Sequence, residues 1–268
     1  MSQKSIRKIL AIVNPAIDNK KLVNRLARIA KVENASVTAY CCIFSGIKTH
    51  DLDQLVAVET RRYQLWLDEV FAPLREKGVE VDIQLEWNED WQGAVERTAA
   101  NTDCDLIVRD NLSAGKLKTS NRELLRSAPV PVLFLSSETP LQSGNILTAL
   151  KLYDPDEAHD QLNRDILDFA EAIKTNSPDC VIHAATCCSG WEDIQNPRDI
   201  SRKTGIDHSL CHYTQDDPDK GIADIAKQID AEMILIGAVP PDNLKGRLLG
   251  TTAEKVLNNT DCDIIVVL

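Results

Sequence analysis

Short apolar runs recur along the chain, each followed by a polar turn and then by apolar positions three and four residues apart. Ile9-Leu10-Ala11-Ile12-Val13 opens one such series and Ile146-Leu147-Thr148-Ala149-Leu150 opens another. An apolar run that changes to a 3.6-residue period reads as a buried strand leading into an amphipathic helix. A second pair of strand-like runs ends in adjacent cysteines: Ser36-Val37-Thr38-Ala39-Tyr40-Cys41-Cys42 and Val181-Ile182-His183-Ala184-Ala185-Thr186-Cys187-Cys188. Residues 78–110 then align with residues 205–237 without a gap, and residues 128–135 match residues 260–267. Each half therefore reads β-α-β-α-β-α-β-α-β, with the join near residues 136–144.

A repeat on this scale means duplicated domains rather than a solenoid. The predicted domains are residues 1–138 and 142–268. Val/Ile/Leu-rich strands alternating with amphipathic helices predict, in each half, a parallel sheet covered on both faces, with right-handed crossovers. A further likeness, Asn101-Thr102-Asp103-Cys104-Asp105-Leu106-Ile107-Val108 against Asn259-Thr260-Asp261-Cys262-Asp263-Ile264-Ile265-Val266, falls on different strands of this scheme and reads as coincidence.

The halves differ in one interval. After its paired cysteines the first half has room for a long helix through Leu52, Leu55, Val58, Tyr63, Leu65, Leu67 and Val70. The second half has only residues 189–204, which include Asn196-Pro197, read as a breaker. The second crossover is thus predicted to be shortened, leaving apolar sheet surface for the other domain, a second subunit or a ligand to cover.

Composition adds limits. The chain has 268 residues, 43% apolar and 26% charged, ordinary values for a globular protein of two domains. A net charge of −11 argues against a general nucleic-acid partner, which needs a positive field. No apolar run is long enough to span a bilayer, and the 9–13 run after Lys4, Arg7 and Lys8 is too short for a secretory core. A cytoplasmic protein with no membrane insertion is expected. The eight cysteines lie mostly in apolar strand-like runs, where small buried thiols sit in reducing compartments.

The segment Glu232-Met233-Ile234-Leu235-Ile236-Gly237-Ala238-Val239-Pro240, followed by Leu248-Leu249-Gly250-Thr251-Thr252-Ala253-Glu254-Lys255-Val256, resembles the signature of the universal stress protein family. That signature is Gly-x-x-Gly and then, nine residues on, Gly with Ser or Thr; here Gly237 and Pro240 precede Gly250-Thr251 at the same spacing. In the first half Asp105-Leu106-Ile107-Val108-Arg109, Thr119 and Leu124-Leu125-Arg126-Ser127-Ala128-Pro129-Val130-Pro131-Val132 are similar to the tandem E-type branch, whose N-terminal domain lacks the glycines. The resemblance implies two tandem Rossmann-like (HUP-type) α/β domains, each a five-stranded parallel sheet with helices on both faces. It also implies a stress-response role and an intramolecular pseudo-dimer of the halves through edge strands, with a homodimer as a further arrangement.

ATP is the cofactor the resemblance implies, in the C-terminal half only, at Lys151, Gly237, Gly250, Thr251 and Thr252. A strand ending at Gly237 lets backbone approach a phosphate, and the helix after Gly250 has free amides for an anion. Thr251 and Glu254 also fit a capping box, which starts many helices that bind nothing. Pro240 lacks the amide of the family's second glycine. Lys151 stands where the family has an acidic residue, as Asn14 does in the first half. There Asp110 replaces the first glycine, and its carboxylate would repel a triphosphate. Ser120 and Glu123 still fit a helix cap.

Other clusters carry less. Cys180, His183, Cys187, Cys188, His208, Cys211 and His212 offer soft ligands, but in strand geometry His208 and His212 share one face and Cys211 the other. Ordinary packing is the favoured reading, and no metal is predicted. No nucleophile elbow, Walker loop or HExxH occurs, so no catalytic residue is nominated. Trp87 and Trp91 read as anchors for the loop between them or as interdomain packing, rather than as a stacking site. Three functions follow: a non-catalytic stress-response binding or interaction module, an ATP-binding switch or weak ATPase, and a carrier or sensor of an apolar small molecule.

Overall fold

A computed structural model of the protein describes residues 6–43, 52–110, 119–136, 144–188, 196–238 and 251–268. The chain runs β1 (Lys8–Ile12), α1 (Lys20–Glu33), β2 (Ser36–Ile43), α2 (Leu52–Glu76), β3 (Val81–Trp87), α3 (Trp91–Thr102), β4 (Leu106–Asp110), α4 (Thr119–Ser127) and β5 (Val132–Leu135). The same order returns as β6 (Asn145–Leu150), α5 (Glu157–Asn176), β7 (Val181–Cys187), α6 (Pro197–Thr204), β8 (Cys211–Thr214), α7 (Pro218–Gln228), β9 (Met233–Gly237), α8 (Thr251–Asn259) and β10 (Asp263–Val267).

The chain forms two compact units, one of β1–β4 with α1–α3, the other of β5–β10 with most of α4 and α5–α8. In the first, the strand order is β3-β2-β1-β4, all parallel, with Ile9 facing Val37 on one side and Leu106 on the other. In the second, β10-β9-β6-β7-β8 is a five-stranded parallel sheet. β5 adds to it antiparallel, Leu133 opposite Ile265, and this pairing groups β5 with the second unit although it closes the first sequence repeat. The α/β architecture of tandem Rossmann-like halves expected from the sequence is the one observed.

The central strands are apolar throughout because helices cover both faces. Leu10 and Ala11 on β1 are both fully buried, as are Leu235 and Ile234 on β9. α1 turns Leu22, Val23, Leu26 and Ala30 inward, the three-and-four spacing of an apolar stripe. It stops at Asn34, which takes the left-handed conformation that Asn tolerates (φ 52°).

Two sequence readings change. Asn196-Pro197 does not break a helix but starts one: the Asn196 side chain accepts from Arg198 N (2.9 Å) and Asp199 N (3.2 Å), and Pro197 fills the first turn of α6. The crossover is nonetheless short, eight residues against 25 in α2, and Ile200 is its buried anchor. The two Asn-Thr-Asp-Cys-Asp segments do lie before different strands, β4 and β10, but they share a device. Asp105 Oδ2 accepts the amides of Arg7 (2.7 Å) and Lys8 (2.9 Å), and Asp263 Oδ1 accepts that of Ser136 (3.0 Å). In both, an aspartate at a strand entrance satisfies backbone donors at the end of a neighbouring strand.

Trp87 Nε1 donates to Thr60 Oγ1 (2.8 Å) beneath α2, while the Arg109 guanidinium lies over the Trp91 ring at 4.4 Å. Both rings serve local packing. All eight cysteines are free thiols. Among the described residues no helix is long and apolar enough to cross a membrane.

Candidate functional site

β6 is the first strand of the second half, with β7 on one side and β9 on the other. The connection from β6 runs to β7 on one side and that from β9 runs to β10 on the other, so loops at their carboxyl ends diverge and open a crevice. A cavity of about 600 Å³ lies there, between the ends of β6, β7 and β9 and the starts of α5, α7 and α8. Ala149, Leu162, Ile166, Ile222 and Ile236 supply its apolar lining; Lys151, Asp154, His159, Asp216, Asp217 and Thr252 supply polar groups.

The loop after β6 is held from three elements. Asn163 on α5, itself buried, accepts the Lys151 amide at Oδ1 (3.1 Å) and donates through Nδ2 to the Lys151 carbonyl (2.7 Å). Thr186 Oγ1 on β7 accepts the Leu152 amide (3.3 Å), and Lys203 Nζ on α6 donates to the Leu152 carbonyl (2.6 Å). The short α6 thus anchors the rim of the cavity. Asp154 turns the chain in the left-handed region (φ 38°). Asp156 then caps α5, accepting both the backbone amide (2.9 Å) and the ring Nδ1 (2.7 Å) of His159. Those hydrogen bonds, the backbone one first, bring the Asp156 carboxyl down to about 2.

Three of the five residues singled out in the sequence line this cavity: Lys151, Gly237 and Thr252. Thr251 begins α8. Gly250, like Pro240, lies outside the described residues. The Lys151 side chain is half exposed, with Nζ 3.7 Å from Asp156 Oδ2. Gly237 has a different role from the one its motif suggests. Its backbone is outside the left-handed region, and a Cβ built there would fall inside the side chain of Leu162. The glycine admits a leucine from α5, so on that side its backbone meets Leu162.

Sequence reasoning missed Leu162, Asn163, His159, Asp216 and Asp217. Asn163 had a readable signal, a polar residue beside the buried stripe of Leu162, Ile166, Phe169 and Ala170. The others had none, since their role depends on which strand ends converge.

At the end of β4 in the first half, Asp110 meets Lys21 Nζ at 2.7 Å, with side-chain exposures of only 7% and 18%. The carboxylate expected to repel a phosphate is therefore neutralised internally by α1. Asn14, the counterpart of Lys151, accepts the Ala16 amide at its Oδ1 (2.9 Å) and acts as a turn residue.

The histidine geometry also departs from expectation. His208 sits in a short 3-10 turn, His208–Leu210, so it shares no strand face with His212. His212 pairs with His183 instead: Nδ1 of His183 and Nε2 of His212 are 3.0 Å apart and the rings stack at 5.3 Å. Burial pushes both imidazoles below their ordinary value, and His212 lowers His183 further. Among the described residues no group of three or more His, Cys, Asp or Glu is placed to hold a metal. Cys187, at the cavity wall, is driven up to about 11 by burial and remains a thiol.

Residues 200–267 match the universal stress protein family. The chain is 23% identical over 302 aligned positions to a universal stress protein E homolog of Haemophilus influenzae, covering 97% of this chain and 96% of that one. To universal stress protein E of Escherichia coli it is 20% identical over 295 positions, covering 97% and 93%. Among solved structures, a functionally unknown protein from Pseudomonas aeruginosa superposes with a TM-score of 0.80 at 24% identity, covering 99% of this chain and 94% of its own. A universal stress protein from Archaeoglobus fulgidus superposes with a TM-score of 0.80 at 16% identity, covering 100% and 99%.

Proposed function

We infer, from a chain that is a tandem relative of the universal stress proteins, that this is a stress-response protein working by reversible binding rather than by catalysis. The observation that carries the binding part is the cavity at the carboxyl ends of β6, β7 and β9. It has the size of a small-molecule site, with an apolar wall and polar groups converging on the same space. Its rim is held in place by Asn163, Thr186 and Lys203, so a ligand would meet a largely formed surface.

The ligand class we propose is a nucleoside or nucleotide, in the C-terminal half only. Lys151, Gly237 and Thr252 support it by lining one cavity, and the amides that begin α8 are available to a polar or anionic end. ATP, with Gly250 and Thr251 completing the site, is one member of this class. The Lys21–Asp110 pair supports excluding the first half, because a ligand there would have to break a buried ion pair. An apolar small molecule is the second reading, favoured by the wall of Leu162, Ile166, Ile222 and Ile236.

We assign the domains to residues 1–138 and 142–268, pairing as an intramolecular pseudo-dimer, with the antiparallel β5–β10 ladder in support. A homodimer is a further level of assembly that light scattering would report, and the cytoplasm is the proposed compartment. Calorimetry of the full chain with adenosine and with ATP tests the ligand class: no heat from either at millimolar concentration sinks it. Native mass spectrometry of protein purified without added ligand then tests the apolar reading, which requires a co-purifying molecule.

A further inference from the structure

The cavity just described has an internal division of chemistry that bears on which member of the proposed class it takes; the inference rests on that reading. Its inner wall is aliphatic, formed by Leu162, Ile166 and Ile236 among others. Among the described residues its charged lining is mostly acidic, with Asp154, Asp216 and Asp217 against Lys151. The cation is shared, since Lys151 Nζ lies 3.7 Å from Asp156 Oδ2, a carboxylate outside the lining. His159, the other basic group, is held by the same Asp156 through its ring nitrogen at 2.7 Å. Asp216 has a cation of its own, Lys220 Nζ at 3.7 Å, but both side chains are more than half exposed, where such a pair contributes little.

The backbone at Gly237 adds a second constraint from packing alone. In the motif reading, that glycine lets a phosphate come close. Here Leu162 occupies the space over its Cα, presenting a methyl group where a phosphate would need a donor. A phosphate at this wall would exchange water for a hydrocarbon neighbour, and desolvating an anion without a partner is strongly unfavourable. Several carboxylates at the mouth add like-charge repulsion in a partly enclosed space of lowered dielectric. A ring against the aliphatic wall, with hydroxyl or amine hydrogens turned to Asp154 and Asp216, meets neither cost.

We propose that the second-half cavity selects a nucleoside-sized ligand that presents hydrogen-bond donors, and discriminates against its phosphorylated forms. Asp154 and Asp216 contribute most to this preference, and Leu162 enforces it at the β9 end.

Calorimetry with adenosine and with magnesium-free ATP, on the wild-type full chain and on Asp154→Asn/Asp216→Asn, tests this. Both substitutions are isosteric, and Asn tolerates the left-handed backbone at 154. In the wild type adenosine binds more tightly than ATP, and in the variant the adenosine-to-ATP ratio falls by about tenfold as repulsion is removed. Tighter binding of ATP by the wild type, or a ratio that the double substitution leaves unmoved, overturns the selectivity while leaving the ligand class standing. If neither compound binds, the proposal and the ligand class fall together.

Discussion

Leu162 fills the space that a side chain on residue 237 would need. This contact joins α5 to the end of β9 and makes Gly237 a packing residue. Gly237→Ala is expected to destabilise the chain by about 1–3 kcal/mol through overpacking, read as a lower urea midpoint with an unchanged slope. Leu162→Ala alone costs about 2–5 kcal/mol. The double variant should cost less than the sum, because each change relieves the other. Strict additivity would show that the glycine serves something other than this leucine.

Asn163 satisfies both backbone groups of Lys151. Asn163→Leu keeps the bulk and leaves the amide and carbonyl to find water, at about 1–3 kcal/mol. Hydrogen exchange at the Lys151 amide should quicken in the variant, and ligand affinity should fall with it. Unchanged exchange would mean that the loop is held mainly by Thr186 and Lys203.

Lys21, partly exposed, forms an ion pair with the buried Asp110 in the first half. Lys21→Met should lower stability by about 3 kcal/mol, the range found when one partner of a buried pair is removed. Adding Asp110→Asn should recover part of that loss, since the uncompensated charge goes with it. A single variant as stable as the wild type would show the carboxylate to be held by its other contacts.

His183 and His212 both titrate below their ordinary value of 6.5. The unfolded chain, with imidazoles near 6.5, therefore takes up protons before the folded one. Stability is full above pH 6.5 and declines as the pH falls through the depressed folded-state values. Urea midpoints at pH 7.5, 6.5 and 5.5 should show a drop that is smaller in His183→Gln/His212→Gln. An identical drop in that variant assigns the acid sensitivity to other groups.

The order of elements was legible in the sequence because it rests on local periodicity. Ile9, Leu10 and Ile12 or Met233, Ile234 and Leu235 need only their neighbours to read as a buried strand, and the duplication showed in residues 78–110 against 205–237. The glycine and threonine spacing likewise pointed to the half in which the cavity described above opens. Asn196-Pro197 was misjudged, since the same pair can end one helix or begin another, and only the Arg198 and Asp199 amides turning onto Asn196 decided it.

The character of the site came from tertiary structure. Leu162 reaches Gly237 across 75 positions of sequence, and His183 reaches His212 across 29. Asp216 and Asp217, in the turn from β8 to α7, line one cavity with Lys151 because β6 and β8 end on the same side of a parallel sheet. Local pattern specifies which residues turn inward, because burial depends on the period of the element. Which inward residues meet depends on strand order, set by packing summed over the whole unit. The motif could therefore name Gly237, while only the fold could make it a seat for leucine.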